Sequence, residues 1–156
     1  MSRRRWGTPL VVAALVAGTL DITYAIVFSY LRSGTPPERL LQSVASGALG
    51  RDAFTGVAAT AALGLGFHFL IAFIITALFF AAAARASALT RRPVLTGAAY
   101  GILVYAVMNY VVIPLSKIGP RPLPAAIVLV TGLLVHMFLI GVPIASGARR
   151  AFRTSR

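Results

Sequence analysis

The chain has 156 residues, of which 58% are hydrophobic, with a mean hydropathy of +0.86 and a net charge of +12. A soluble domain of this length covers its surface with polar side chains, and here long tracts have almost none, so the composition implies an integral membrane protein. The lack of cysteine excludes disulfides, thiolate metal sites and thiol catalysis, leaving only histidine or oxygen ligands for any metal.

Ser2, Arg3, Arg4, Arg5 and Trp6 precede the first apolar run, which covers 9–31. A basic start followed by an apolar run is also the form of a twin-arginine or general secretion signal. This run, however, is 23 residues long, contains Asp21 and is followed by no small-x-small cleavage site, so an uncleaved first helix is expected. Trp6 then suits an interfacial aromatic belt. Asp21 is the only carboxylate within the hydrophobic stretches. A charge at that depth costs at least ~2.5 to 3.5 kcal/mol, so Asp21 should face protein or water and have a partner.

The next connection is the only extended one. Thr35-Pro36-Pro37-Glu38 has the form of a capping box with proline at the first helical positions, and Leu40, Leu41, Val44, Ala45 and Ala48 repeat at helical spacing. These residues predict a short amphipathic helix over 36–49, ended by Gly50, that lies on the outer surface or caps the bundle. It serves as a lid over a cavity or as a packed connector.

Three further apolar runs follow, over 61–84, 94–115 and 124–145. About 20 helical residues cross a hydrocarbon core of ~30 Å, and unpaired backbone groups are too costly in lipid, so each run should be a helix. The expected fold is all-α, a single four-helix integral membrane bundle. The later loops are short, which predicts that helices two, three and four are antiparallel neighbours. Pro114 suits a helix end, whereas Pro143 falls inside the last helix and should bend it.

Basic residues set the expected orientation, because Lys and Arg near helix ends are retained in the cytoplasm. Arg3, Arg4, Arg5, Arg85, Arg91, Arg92, Arg149, Arg150, Arg153 and Arg156 fall on one side; Arg32, Arg39, Arg51, Lys117 and Arg121, offset by Glu38 and Asp52, fall on the other. Both termini should therefore be cytoplasmic. Topology and anionic lipid headgroups account for the positive charge, and no nucleic-acid partner is expected.

Each long helix contributes one strongly polar side chain at compatible depth: Asp21, His68, Asn109 and His136. They form a candidate intramembrane cluster. Small residues permit close packing near them, with Gly18 beside Asp21, Gly64 and Gly132 one turn before the histidines, and Gly97-x-x-x-Gly101 on helix three. Gly64 to Ile71 can be laid on Gly132 to Leu139, with glycine four residues before histidine in both, which hints at an internal repeat.

Three readings of the cluster stay open. Intramembrane acids and histidines are the usual parts of proton and cation pathways, so the cluster could move a proton or small solute. It could instead fix helix register in an accessory or structural membrane subunit. As a lesser alternative, His68 and His136 could be axial ligands of a haem between helices two and four; otherwise no cofactor and no metal are expected. No phosphate loop, H-E-x-x-H, G-x-S-x-G or paired carboxylates occur, so no catalytic residues are assigned and an enzyme is not expected. Four helices enclose little space, so a transporter should form a homodimer or larger membrane complex, with the Gly97 and Gly101 face as the candidate contact.

Arg92 to Gly101, Met108 to Ser116 and His136 to Pro143, together with Pro36 to Arg39 and His68 to Ile71, resemble small bacterial four-helix inner-membrane proteins. A more distant likeness is to the YagU-type inner-membrane proteins, some of which are associated with acid resistance. Those tend to have histidine near the position of Asn109 and carry acidic residues in the last loop and helix that this chain lacks. The resemblance implies a multi-pass protein of the bacterial inner membrane and assigns no active residues.

Overall fold

The computed structural model describes residues 6–153. Among them the architecture is all-helical: α1 (Gly7–Ser33), α2 (Pro37–Leu49), α3 (Val57–Arg85), α4 (Pro93–Leu115) and α5 (Ala126–Arg153), with short 3₁₀ turns at Gly50–Phe54 and Ser87–Thr90. The four long helices α1, α3, α4 and α5 are long and apolar enough to cross a membrane, with mean hydropathies of 1.7 to 2.4. No more than 28% of any of their apolar windows is buried, so most large apolar side chains point out of the bundle and require an apolar surrounding. The expected helices are all present, with ends that coincide with those of the apolar runs or extend up to eight residues beyond them, except that α2 and α5 begin one and two residues later.

The expected neighbour relations are only partly realised. α1 packs against α3 and α5, and α5 packs against α4, but α3 and α4 stand apart despite their short connection. Their contact is made by long side chains: Tyr100 Oη donates to the Ile75 carbonyl at 2.6 Å, and the Phe79 and Tyr100 rings lie 4.9 Å apart. Glycine spacing explains where the close contact went. A Cβ at Gly97 would meet the Gly141 carbonyl and the Val142 Cα, and one at Gly101 would collide with the His136 carbonyl. The Gly97 and Gly101 face is therefore spent on α5 inside the bundle and is not available as a dimer contact, contrary to expectation.

Helices α4 and α5 each contain a wide π turn, at Met108–Val112 and His136–Gly141. Both turns stand just before a proline. Pro114 and Pro143 lack an N–H and crowd the carbonyls of Tyr110 and Leu139, and both carbonyls fall within the widened turns. Pro114 is followed by the helix end at Leu115, as expected. Pro143 produces the π turn, after which α5 continues to Arg153.

Helix α2 forms as predicted but is not started by a capping box. Its N-cap is Pro36, without a side-chain cap bond, and Thr35 instead pairs with the Ser33 hydroxyl at 2.8 Å. It is fixed on the bundle by backbone contact: the absence of a side chain at Gly64 lets the Leu41 carbonyl lie against α3. Buried Gln42 donates to the Val57 carbonyl at 3.1 Å, and the Lys117 N–H donates to the Gly47 carbonyl at 2.9 Å. At the opposite end of the bundle Trp6 lies among Phe80 and Phe152, with ring centroids 6.2 and 6.3 Å away. The two described chain ends are thus adjacent. Arg149 donates to the Arg91 carbonyl at 3.4 Å, which brings the α3–α4 connection to the same end. Arg3, Arg4, Arg5 and Arg156, counted in the expected orientation, lie outside the described residues.

Candidate functional site: a polar cavity in the bundle

The four polar residues singled out from sequence share one cavity. It has a volume of about 400 Å³, and Asp21 from α1, His68 from α3, Asn109 from α4 and His136 from α5 all line it. Val44 of α2 closes one side, so the surface helix is both a packed connector and a wall of the cavity. Arg121, Pro122 and Pro124, from the connection after α4, line the end nearest α2. Arg121 is exposed and has no hydrogen bond or ion pair among the described residues.

Within the cavity Asp21 and His68 face each other, with Oδ2 and Nδ1 4.0 Å apart. Their side chains keep 22% and 13% of their accessible surface, so a molecule the size of water reaches both. The other ring nitrogen of His68, Nε2, lies 2.8 Å from the Gly18 carbonyl oxygen. A carbonyl only accepts, so Nε2 carries the hydrogen and donates, and Nδ1 is left toward the carboxylate. A neutral imidazole in this tautomer would present a lone pair to a carboxylate. One proton, held on Nδ1 or on Asp21, turns that repulsion into an attraction. At 4.0 Å the two atoms are too far apart for a direct hydrogen bond, so transfer needs either a bridging water or a small movement of the two side chains together.

The other two members behave differently. Asn109 Nδ2 donates to the Tyr105 carbonyl at 2.9 Å, and His136 Nδ1 donates to the Gly132 carbonyl at 2.9 Å, each one turn back on its own helix. Neither bond ties two helices together. The remaining nitrogen of His136, Nε2, is free to accept or hold a proton, and both histidines are near enough to Asp21 to interact with it electrostatically. The Tyr105 ring meets His136 edge-on at 5.2 Å and fits beside Gly132, where a Cβ would come within 3.1 Å of its Cε2.

The matching Gly-x-x-x-His segments therefore do unlike work. Gly64 admits the backbone of α2, Gly132 admits the Tyr105 ring, and the two histidines bond to different kinds of partner. Gly18 has two roles, giving its carbonyl to His68 and leaving room for the Phe69 ring, which a Cβ would approach within 2.8 Å. For haem ligation, His68 is poorly disposed, since one ring nitrogen is bonded to Gly18 and the other faces Asp21. Among the described residues, no three histidine or carboxylate side chains converge as a metal site.

In the sequence Arg121 reads only as a loop charge and Val44 only as part of an apolar stripe. Nothing in the local pattern marks either as a cavity residue; the fold of α2 over the bundle and the path of the Pro-rich connection bring them there. No protein-family model, no curated protein and no solved structure matches this chain.

Proposed function

We propose that the chain is a multi-pass protein of the bacterial inner membrane, with both termini cytoplasmic, in which the Asp21–His68 pair carries a proton in support of the movement of a small solute. The observation that supports this reading is that acid and imidazole face each other across 4.0 Å in one polar cavity, with Nε2 bonded to Gly18 and Nδ1 left toward the carboxylate. His136 Nε2 and Asn109 extend the polar lining within the same cavity, and Arg121 stands at its mouth. The cluster of Arg85, Arg91, Arg92, Arg149 and Arg150 at the end with the two described chain ends supports the orientation, because basic residues are retained on the cytoplasmic side.

The accessory-subunit reading draws on a different feature, the His68 to Gly18 bond, which joins α3 to α1 and would fix their register. Such bonds average only ~0.6 kcal/mol in membranes. Asn109 and His136 hydrogen-bond within their own helices, and His136 adds only its edge-on contact with the Tyr105 ring of α4 to this reading. The two are separated by reconstituting the purified protein in vesicles and imposing a pH step. Asp21→Asn should abolish protein-dependent proton flux while leaving the helical content and elution volume of the bundle unchanged. Flux equal to that of the unsubstituted protein would leave Asp21 as a packing residue.

A further inference from the structure

A second hollow, of about 520 Å³, lies between α3 and α4, where Leu78, Phe79, Tyr100, Leu103 and Val107 line it. Its few polar atoms are already engaged: Tyr100 Oη donates to the Ile75 carbonyl, and Thr96 Oγ1 to the Leu89 carbonyl at 2.8 Å. Ile75, Val104 and Met108 line both this hollow and the polar cavity, so the two adjoin at these residues. Leu78 and Leu103 are 61% and 56% exposed, which opens the apolar half sideways on the surface of the bundle. Each half is of a size that suits a small-molecule ligand, within the ~300 to 1,000 Å³ of ordinary binding pockets.

The polar half sets the charge of the occupant. With Nε2 of His68 bonded to Gly18, the bare Asp21–His68 pair has one negative charge, and one proton neutralises it. Any monocation placed at Asp21 can substitute for that proton. The other groups facing this point are His136 from α5, neutral Asn109 and Tyr105 from α4, and Arg121 at the mouth. The guanidinium of Arg121 opposes entry of a cation by the mouth. The sideways opening between α3 and α4 carries no such charge; the half-buried Tyr100 ring lines the hollow there, with the buried Phe79 ring behind it, and aromatic rings attract cations.

We propose that the two adjoining hollows bind a hydrophobic organic monocation, which enters sideways between α3 and α4, lays its apolar body against Phe79, Tyr100 and Leu103, and sets its charge at Asp21 in exchange for the proton of the pair. This rests on the proton-carrying reading of the same site. The exchange is balanced: the protonated pair and the cation give the cation-occupied pair and one proton released to water, with no electron transfer.

The test uses the full-length protein in phosphatidylcholine vesicles, with tetraphenylphosphonium as the cation and tetraphenylborate as an anion of like shape. Saturable phosphonium binding above that of empty vesicles is expected, with about one proton released per cation where the pair is protonated and an apparent affinity that there falls about tenfold for each unit by which the pH is lowered. Asp21→Asn should weaken binding by about 30-fold or more, the range for removing one partner of a buried charge pair. Leu103→Trp, which fills the apolar half, should also weaken it. Phosphonium binding that is absent, indifferent to pH, or matched by tetraphenylborate overturns the proposal. If the Asp21→Asn protein does not fold, the pH dependence and proton release of the unsubstituted protein decide the matter. Proton flux measured in the same vesicles separates the two failures, since flux without phosphonium binding leaves the proton reading intact.

Discussion

His68 separates two kinds of work within one side chain. Nε2 joins α3 to α1 through the Gly18 carbonyl, and Nδ1 faces the only carboxylate in the long helices. A glutamine amide can donate to the same carbonyl but cannot hold a proton. His68→Gln should therefore keep the bundle within ~1 kcal/mol of its original stability, judged by thermal unfolding in detergent. The same variant should lose proton flux in vesicles. Loss of stability and flux together would point to packing, whereas retained flux would remove His68 from the proton path. Asp21, His68, Asn109 and His136 were legible as candidates because polar side chains in apolar runs stand out. Their unequal roles were not legible. Whether a histidine bonds to another helix or to its own previous turn depends on the distance of the neighbouring backbone, which no local pattern records.

At the scale of the element, glycine decides which backbones touch. Gly64 receives the Leu41 carbonyl of α2, and Gly101 receives the His136 carbonyl where the π turn of α5 begins. Both neighbours are backbone, which cannot rotate away as a side chain would. Gly64→Val should loosen α2 and Gly101→Leu should separate α4 from α5, each at a cost of ~1 to 3 kcal/mol or more, as expected of overpacking. Limited proteolysis distinguishes them, with new cleavage in the connections flanking α2 for Gly64→Val alone. Equal resistance of that variant and the unsubstituted protein would show that α2 is held by its other bonds. The helices and their approximate ends were legible from apolar runs of sufficient length. The π turns were half legible: the prolines predict disturbed hydrogen bonding, but the widening of a turn rather than a kink or an end depends on the neighbouring helix that accommodates it.

For the molecule as a whole, the consequential feature is the separation of α3 from α4, which leaves an apolar hollow between them beside the polar cavity. The adjacency of the described chain ends and the distribution of arginines make orientation directly testable. The chain has no cysteine, so single cysteines at Arg153 and Ser33 report without background. In intact cells an impermeant maleimide should label Ser33→Cys and should label Arg153→Cys only after permeabilisation; the reverse pattern would invert the proposed topology. The sequence by itself determined that the chain forms four long apolar helices and one amphipathic helix, because helix length and hydrophobic period are local properties. It also selected the four polar residues, since their cost in an apolar segment follows from residue type alone. Only the tertiary structure decided that α3 and α4 stand apart, that Arg121 and Val44 join the cavity, and that Gly97 and Gly101 face inward. Those outcomes depend on which backbones can approach one another in three dimensions, and a short connection limits distance along the chain without choosing the partner that packs.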